Sequence, residues 1–351
     1  MTDHLTIALD GMGGDNAPDA VIQGADIART RHPNARFLIF GNSDLLRQRL
    51  ADFPKLQAVS EVRHTDEVIT SEDKPGQAMR RGRGSSMGLA IEAVRSGEAS
   101  VAVSSGNTGA LMAMAKFALR TLPGIDRPAL VSTVPTQGED IVMLDLGANV
   151  DCTDDNLVQF AVMGAEFARA VLGRSRPVVG LLNVGVEELK GNDAVKSAGE
   201  RLKNLSGTLE FGGFVEGDDI AKGDMDVIVT DGFTGNIAIK TAEGTARMFS
   251  VFLGQAFRSS ILARIGYMAS RRALAVFRER IDPRGYNGGV FLGLNGLVVK
   301  SHGGSDEKGF ASAVALAVRM AAEDLPNRIL EGLREFDNTG PVDAVRRGVG
   351  E

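Results

Sequence analysis

Apolar residues along the chain come in short runs, separated by longer segments in which they recur every three or four positions. The runs "LTIALD" (5–10), "RFLIFG" (36–41), "SVAVSSG" (100–106), "PALVSTVP" (128–135), "DIVMLDLG" (140–147), "PVVGLLNVG" (177–185), "TLEFGGFV" (208–215) and "DVIVTDG" (226–232) read as strands. The periodic segments predict helices over 18–31, 85–96, 108–121, 154–171, 192–204, 235–256 and 307–324. "GGVFLGLNGLVVKSHGG" (288–304) predicts a late pair of strands, and the residues from Asn338 onward a frayed tail. Strands that are apolar nearly throughout belong to a sheet covered by helices on both faces. The expected fold is therefore α/β, a three-layer α/β/α doubly wound sheet. No linker or internal repeat divides the chain, so residues 1–351 read as one α/β unit, whole or as two intertwined lobes.

In such sheets ligands sit at the carboxyl ends of the strands. The first strand ends in Asp10, Gly11, Gly13, Gly14, Asp15 and Asn16, followed by Pro18 at the expected start of a helix. This turn is either a tight structural one or a cradle of backbone N–H groups for an anion. The next candidate turn carries Ser104, Ser105, Gly106, Asn107, Thr108 and Gly109. Later ones carry Asp145, Gly147 and Asn149, then Asn183 and Gly185, then Thr230, Asp231, Gly232, Thr234 and Asn236. Five donor-rich turns predict one shared crevice.

The first loop is not a dinucleotide fingerprint, because Asn16 stands where the third glycine belongs and the next strand ends in Gly41 and Asn42, without the acid that would hold a ribose. No G-x-x-x-x-G-K-[ST] accompanies these turns. A small oxyanion such as phosphate, or a phosphorylated substrate, suits the donors better. Nucleophile signatures are lacking: there is no G-x-S-x-G and no H-E-x-x-H. His302 follows a strand into a glycine turn, and Lys190 lies beyond a strand end beside Gly191, where it meets an anion or water. A site with many donors and few nucleophiles implies that the nucleophile arrives as substrate.

Composition narrows this further. With 43% hydrophobic and 24% charged residues the chain is an ordinary globular one, and 43 glycines suit many strand-to-helix turns. The single cysteine, Cys152, fits a reducing cytoplasm and reads as a small buried side chain. No charged-then-apolar export signal opens the chain and no run is long enough to span a bilayer. A net charge of −6 argues against a nucleic-acid binder. Local basic clusters stand out against that balance. Lys74, Arg80, Arg81 and Arg83 form one. Segment 246–282 carries seven arginines, including Arg271 and Arg272, among apolar residues at helical spacing. It reads as a basic amphipathic helical insertion for an anionic membrane or an acidic partner, or else as a dimer interface.

The motifs "LDGMGGDNAP", "DKPGQAMRRGRGSSM", "SSGNTGALMA", "LDLGANVDC", "LNVGVEELKGN", "VTDGFTGNIAIK" and "GLNGLVVKSHGGSD", in order from residue 5 to about 320, resemble the phosphate acyltransferases of bacterial phospholipid synthesis. That resemblance implies a fold like isocitrate and isopropylmalate dehydrogenases and a homodimer. It implies transfer of a long fatty acyl group from acyl carrier protein to inorganic phosphate, giving acyl phosphate for a downstream membrane-associated glycerol-3-phosphate acyltransferase. No cofactor and no metal ligand is assigned from the sequence, which does not decide whether a divalent ion assists. On this reading Asn107 and Thr108 serve the oxyanion or phosphate, and Asn183, Lys190 and Asn236 are polar anchors. Asp231 orients a donor or positions a proton, and His302 contacts phosphate or acts as an acid. Phosphate falls to Asp10, Gly11, Gly13, Gly14, Asn16, Ser105, Gly106 and Gly109. The acidic carrier falls to Lys74, Arg80, Arg81, Arg83, Arg271 and Arg272. Val186 stands where the family pattern often has an acid, and Gly82 and Gly84 thin a stretch often richer in lysine. Three rival readings remain at this stage: a phosphotransacetylase using coenzyme A, a decarboxylating dehydrogenase with Asp145 and Asp231 as metal ligands, and a non-catalytic membrane scaffold.

Overall fold

The computed structural model describes residues 5–204, 209–280 and 288–339. Its first half runs β1 (Thr6–Asp10), α1 (Asp19–Arg31), β2 (Arg36–Gly41), α2 (Ser43–Leu50), α3 (Pro54–Gln57), β3 (Ser60–His64), α4 (Pro75–Arg81), α5 (Ser86–Arg95), β4 (Val101–Ser104) and α6 (Thr108–Leu119). It continues through β5 (Ala129–Val134), β6 (Ile141–Leu144), α7 (Asp154–Leu172), β7 (Val178–Leu182), α8 (Asp193–Lys203), β8 (Glu210–Val215) and β9 (Val227–Val229). Three helices then follow one another, α9 (Gly232–Arg258), α10 (Ile261–Ala269) and α11 (Arg271–Arg280). The hairpin β10 (Gly289–Leu292) and β11 (Leu297–Lys300) and helices α12 (Glu307–Ala322) and α13 (Leu325–Thr339) complete the order. Thr208, residues 281–282 of the basic segment and the expected tail beyond Thr339 lie outside the described residues.

Among the described residues, eleven strands form one sheet in the order β3-β2-β1-β4-β11-β10-β5-β6-β9-β7-β8. Strands β3, β2, β1, β4 and β11 are mutually parallel, as are β6, β9, β7 and β8. Between the two sets, β10 is antiparallel to both β11 and β5, and β5 is antiparallel to β6. Three reversals leave the two parallel sets running in opposite directions. The donor-rich turns after β1, β4 and β11 therefore emerge at one edge of the sheet, and those after β6, β7 and β9 at the other. The five turns expected to share one crevice thus emerge at two edges of the sheet. The physical reason is strand polarity, which is set by pairing between distant segments.

Side chains alternate faces along each strand, and the core splits accordingly. Ile7, Leu9, Phe37, Ile39, Val101 and Val103 face the layer formed by α1, α7, α8, α12 and α13. Ala8, Leu38, Phe40 and Ala102 face α4, α5 and α6 on the other side. On that second side the far half of the sheet is covered by the start of α9, through Ala238 and Ile239. This is the three-layer α/β/α architecture. Strand β3 and helices α2, α3, α4 and α13 have no counterpart in the sequence reading. β3, "SEVRH", is an edge strand whose charged Glu61 and Arg63 hide its strand pattern and guard its free edge. Among the described residues no helix is long and apolar enough to cross a membrane.

Helices α1 and α12 meet closely enough that a Cβ on Gly24 would lie 2.8 Å from Phe310 Cβ. Phe310 is fully buried in the same cluster. Phe310→Ala is expected to lower stability by about 3–5 kcal/mol, read as a lower urea midpoint with an unchanged slope.

Candidate active site

A cavity of 620 Å³ opens over the middle of the sheet, between α6 and α9, where the covering helical layer is interrupted. Leu130, Ser132 and Gly289 of β5 and β10 lie at its base. Thr108, Gly109 and the 300–306 turn reach it from one edge of the sheet. Leu146, Gly147 and the α9 residues Asn236, Lys240 and Arg247 reach it from the other. Residues from both edges therefore meet over the sheet's face.

Asn107 caps α6: its Oδ1 accepts from Ala110 N at 3.0 Å, while its Nδ2 donates to the carbonyls of Ser71 (3.0 Å) and Asp73 (3.2 Å). The side chain positions the turn and has its polar atoms occupied. The donors it brings to the cavity wall are the N–H groups of Thr108 and Gly109, which carry no hydrogen bond among the described residues. Such amides at a helix start favour anions.

The loop after β1 does not line the cavity. Asp10 is buried and accepts from Ser104 Oγ at 2.6 Å and Met12 N at 3.3 Å, and burial pushes its carboxyl above the usual range. Ser104 Oγ in turn accepts from Gly106 N at 3.0 Å. Gly11 N is committed to Phe40 O, Gly13 N to Asp10 O and Asp15 N to Gly303 O. A Cβ on Gly14 would lie 2.8 Å from Ser105 Cβ. Asn16 Nδ2 donates to the carbonyls of Gly304 and Ser305. Loop 10–16, with Ser105 and Gly106, thus stands behind the 302–305 turn and holds it. Of the eight residues expected to cradle phosphate, the structure places Gly109 on the cavity wall.

His302 lies on that wall, and its Nδ1 accepts from Gly304 N at 3.2 Å. Loss of hydration, with Lys240 and Lys300 nearby, lowers its pKa, so the imidazole is neutral at neutral pH and carries its proton on Nε2. Lys300, absent from the sequence reading, ends β11 on the same wall; it is 9% exposed and donates to Ser301 O. Burial and Lys240 push its pKa down to about 8. In the sequence it reads as one polar residue closing a strand, so only its depth in the fold reveals it.

From the other edge, Asp145 is fully buried and gathers the turn that follows it. Oδ1 accepts from Leu130 N, Gly147 N and Ala148 N at 2.9–3.1 Å, and Oδ2 from Asn149 N and Nδ2 at 2.7–2.8 Å. Burial raises its pKa against these donors. Asp231 caps α9 through Thr234 N and Oγ1, both at 2.8 Å. Helix α9 then runs so close to the 145–149 turn that a Cβ on Gly235 would lie 2.0 Å from Asp145 O. This contact sets Asn236 against Gly147 on the cavity wall. Both aspartates are engaged as acceptors of N–H and O–H groups. No cluster of three or more His, Cys, Asp or Glu side chains able to hold a metal ion occurs among the described residues.

Asn183 and Lys190 are not part of this wall. Asn183 Nδ2 donates to Gly185 O and Lys190 O, shaping loop 183–191, and Lys190 Nζ pairs with Glu187 at 2.9 Å in the open. Cys152 is also off the wall, and burial, with Asp145 next in effect, pushes its thiol up to about 12. Lys74, Arg80, Arg81 and Arg83 are exposed on and around α4. This segment adjoins the cavity: a Cβ on Gly109 would lie 3.0 Å from Pro75 Cγ. Arg83 stacks over the Phe117 ring at 5.0 Å. Arg271 and Arg272 begin α11, in the separate helical arm, and are exposed there.

A family profile described as "Fatty acid synthesis protein" matches residues 5–328. The phosphate acyltransferase of Paramagnetospirillum magneticum is 53% identical, covering 98% of this chain and 97% of its own. That of Rhodospirillum centenum is 55% identical, covering 95% and 94%. Among solved structures, a phosphotransacetylase from Streptococcus pyogenes matches with a TM-score of 0.60 at 19% identity, covering 91% of this chain and 94% of that one. EutD phosphotransacetylase from Staphylococcus aureus matches with 0.59 at 15%, covering 91% and 95%. These two share the α/β fold. With a profile over most of its length and relatives more than half identical nearly end to end, the chain belongs to the phosphate acyltransferase family and is an acyltransferase.

Proposed function

We propose that this acyltransferase moves a long-chain fatty acyl group from acyl carrier protein to inorganic phosphate, releasing acyl phosphate for phospholipid synthesis. The observation that carries this reading is a cavity that joins an apolar surface to unpaired N–H donors. Met112, Leu130, Leu146 and Ile239 offer the apolar surface, and Thr108 N and Gly109 N the donors. A phosphate oxygen attacks the thioester carbon, the tetrahedral oxyanion takes the α6 amides, and the carrier thiolate leaves. Removing one donor from such a site typically lowers the rate by on the order of a hundredfold. Neutral His302, with its proton on Nε2, is a donor to the oxyanion or the departing sulfur, and Asn236 anchors the substrate. Loop 10–16 acts one step back, by shaping the 302–305 turn.

The carrier approaches over Lys74, Arg80, Arg81 and Arg83, whose exposed charge adjoins the cavity at Pro75 and Gly109. The arm α9–α11 exposes Phe249, Phe252, Ile261, Leu262, Ile265 and Met268 among its arginines. We assign it peripheral contact with an anionic membrane, where the amphiphilic product is used; a homodimer burying the same apolar face is the alternative. Vesicle flotation separates the two, since retention on anionic but not neutral vesicles supports membrane contact.

The decisive assay measures phosphate-dependent release of free thiol from acyl carrier protein and from acyl-coenzyme A. Carrier-dependent release is expected; release from coenzyme A alone would reassign the donor, and release without phosphate would overturn the reading. Arg80→Glu with Arg81→Glu is expected to raise the carrier's KM by about tenfold and flatten its salt dependence, leaving the phosphate KM unchanged. Because the Cys152 thiol is held up at about 12, alkylating reagent at neutral pH is expected to leave the rate unchanged; inactivation protected by substrate would implicate a covalent acyl-enzyme.

A further inference from the structure

Three basic side chains, Lys240, Arg247 and Lys300, line the cavity against two carboxylates, Glu243 and Asp306. Glu243 is shared between Lys240 at 2.8 Å and Arg247 at 3.8 Å. Asp306 Oδ1 caps α12 by accepting from Gly309 N at 3.0 Å. Lys300 has neither of these partners. It is the most deeply buried of the three, and among the described residues it makes no ion pair; its ammonium donates to the carbonyl of Ser301. Burying an ammonium without a paired carboxylate is strongly unfavourable. Such a charge persists where a ligand completes it.

We propose that Lys300, together with Lys240, holds the negative charge of the phosphate acceptor beside the free N–H groups of Thr108 and Gly109. This rests on the reading of phosphate as acceptor, and it names side chains for a task that the glycine turns seemed to fill. The groups facing Lys300 come from three other elements. Asp10 of β1 and Asp15 of the following loop favour its charged form, and Lys240 of α9 opposes it. Asp10 is already spent on Ser104 and Met12, and the exposed Asp15, whose carboxylate lies beside Gly304, makes no ion pair with Lys300 among the described residues. The charge of Lys300 is therefore left over for a ligand. An anion between the two lysines removes their mutual repulsion, so binding phosphate draws a proton onto Lys300. With its free pKa near 8, acceptor affinity falls as pH rises through that value, because the ammonium is lost.

The test is calorimetric titration of inorganic phosphate into wild-type protein, Lys300→Arg and Lys300→Met, at about pH 7.5 and about pH 9. Phosphate is expected to bind the wild type about tenfold more weakly at the higher pH. Lys300→Arg, always charged, keeps its affinity at both. Lys300→Met binds at least about tenfold more weakly at the lower pH, with a matching rise in phosphate KM and a donor KM within about twofold of wild type. Wild-type affinity in Lys300→Met, or the same pH profile in Lys300→Arg as in wild type, would overturn the proposal. If Lys300→Met fails to fold, the Lys300→Arg profile decides. The titration needs no acyl donor, so phosphate binding without acyl transfer would strike the reaction assigned above and leave this site standing.

Discussion

Strand polarity at the centre of the sheet governs where chemistry can occur in this protein. Had β10, β5 and β6 joined their neighbours in parallel, every donor-rich turn would lie at one edge. The antiparallel pairs Val290↔Val131 and Ser132↔Met143 instead send the two parallel halves in opposite directions. The ligand space then falls over the sheet's middle, where α6 and α9 leave a gap. Each half extends one turn and one helix start toward that gap. The base, Leu130 and Ser132, belongs to the reversed strand itself.

Two buried carboxylates give the turns on either side their shape. Asp10 ties β1 to β4 through Ser104, and Asp145 gathers five N–H donors around the start of the 145–149 turn. A carboxylate so surrounded is satisfied in place, which is why neither is free to serve a ligand. The close approach at Gly235 then lets α9 begin directly on the Asp145 turn. These interactions consume most of the donors that the glycine-rich segments contain. The α6 amides are left over because a helix start has no acceptors of its own.

The charges divide in the same manner. Paired charges on the surface, such as Lys190 with Glu187 or Arg201 with Asp154 and Asp155, are solvated and contribute little. The basic surface at α4 is exposed and lies beside the cavity, whereas Lys300 is inside it. Long-range attraction of an acidic partner and close holding of a small anion are therefore assigned to different groups. Beyond the residues of α9 that line the cavity, the helical arm stands apart from both, and α10 buries nothing.

Periodicity alone was enough to locate most strands and helices, since a buried parallel strand must be apolar on both faces. It also marked Thr108, Asn236 and His302, because glycine and small polar residues after a strand announce a turn with exposed donors. β3 escaped because an edge strand is half in water and need not look like one. Lys300 escaped because burial depends on what other segments place around a side chain. The glycines of loop 10–16 looked like a phosphate cradle, and the fold turned them inward, since Gly11, Gly13 and Asp15 found carbonyl acceptors within the protein. Local composition determines which segments are strands, helices and turns. Strand direction, the depth of a charge and the acceptor each N–H finds depend on residues far apart in the chain, and only tertiary pairing decides them.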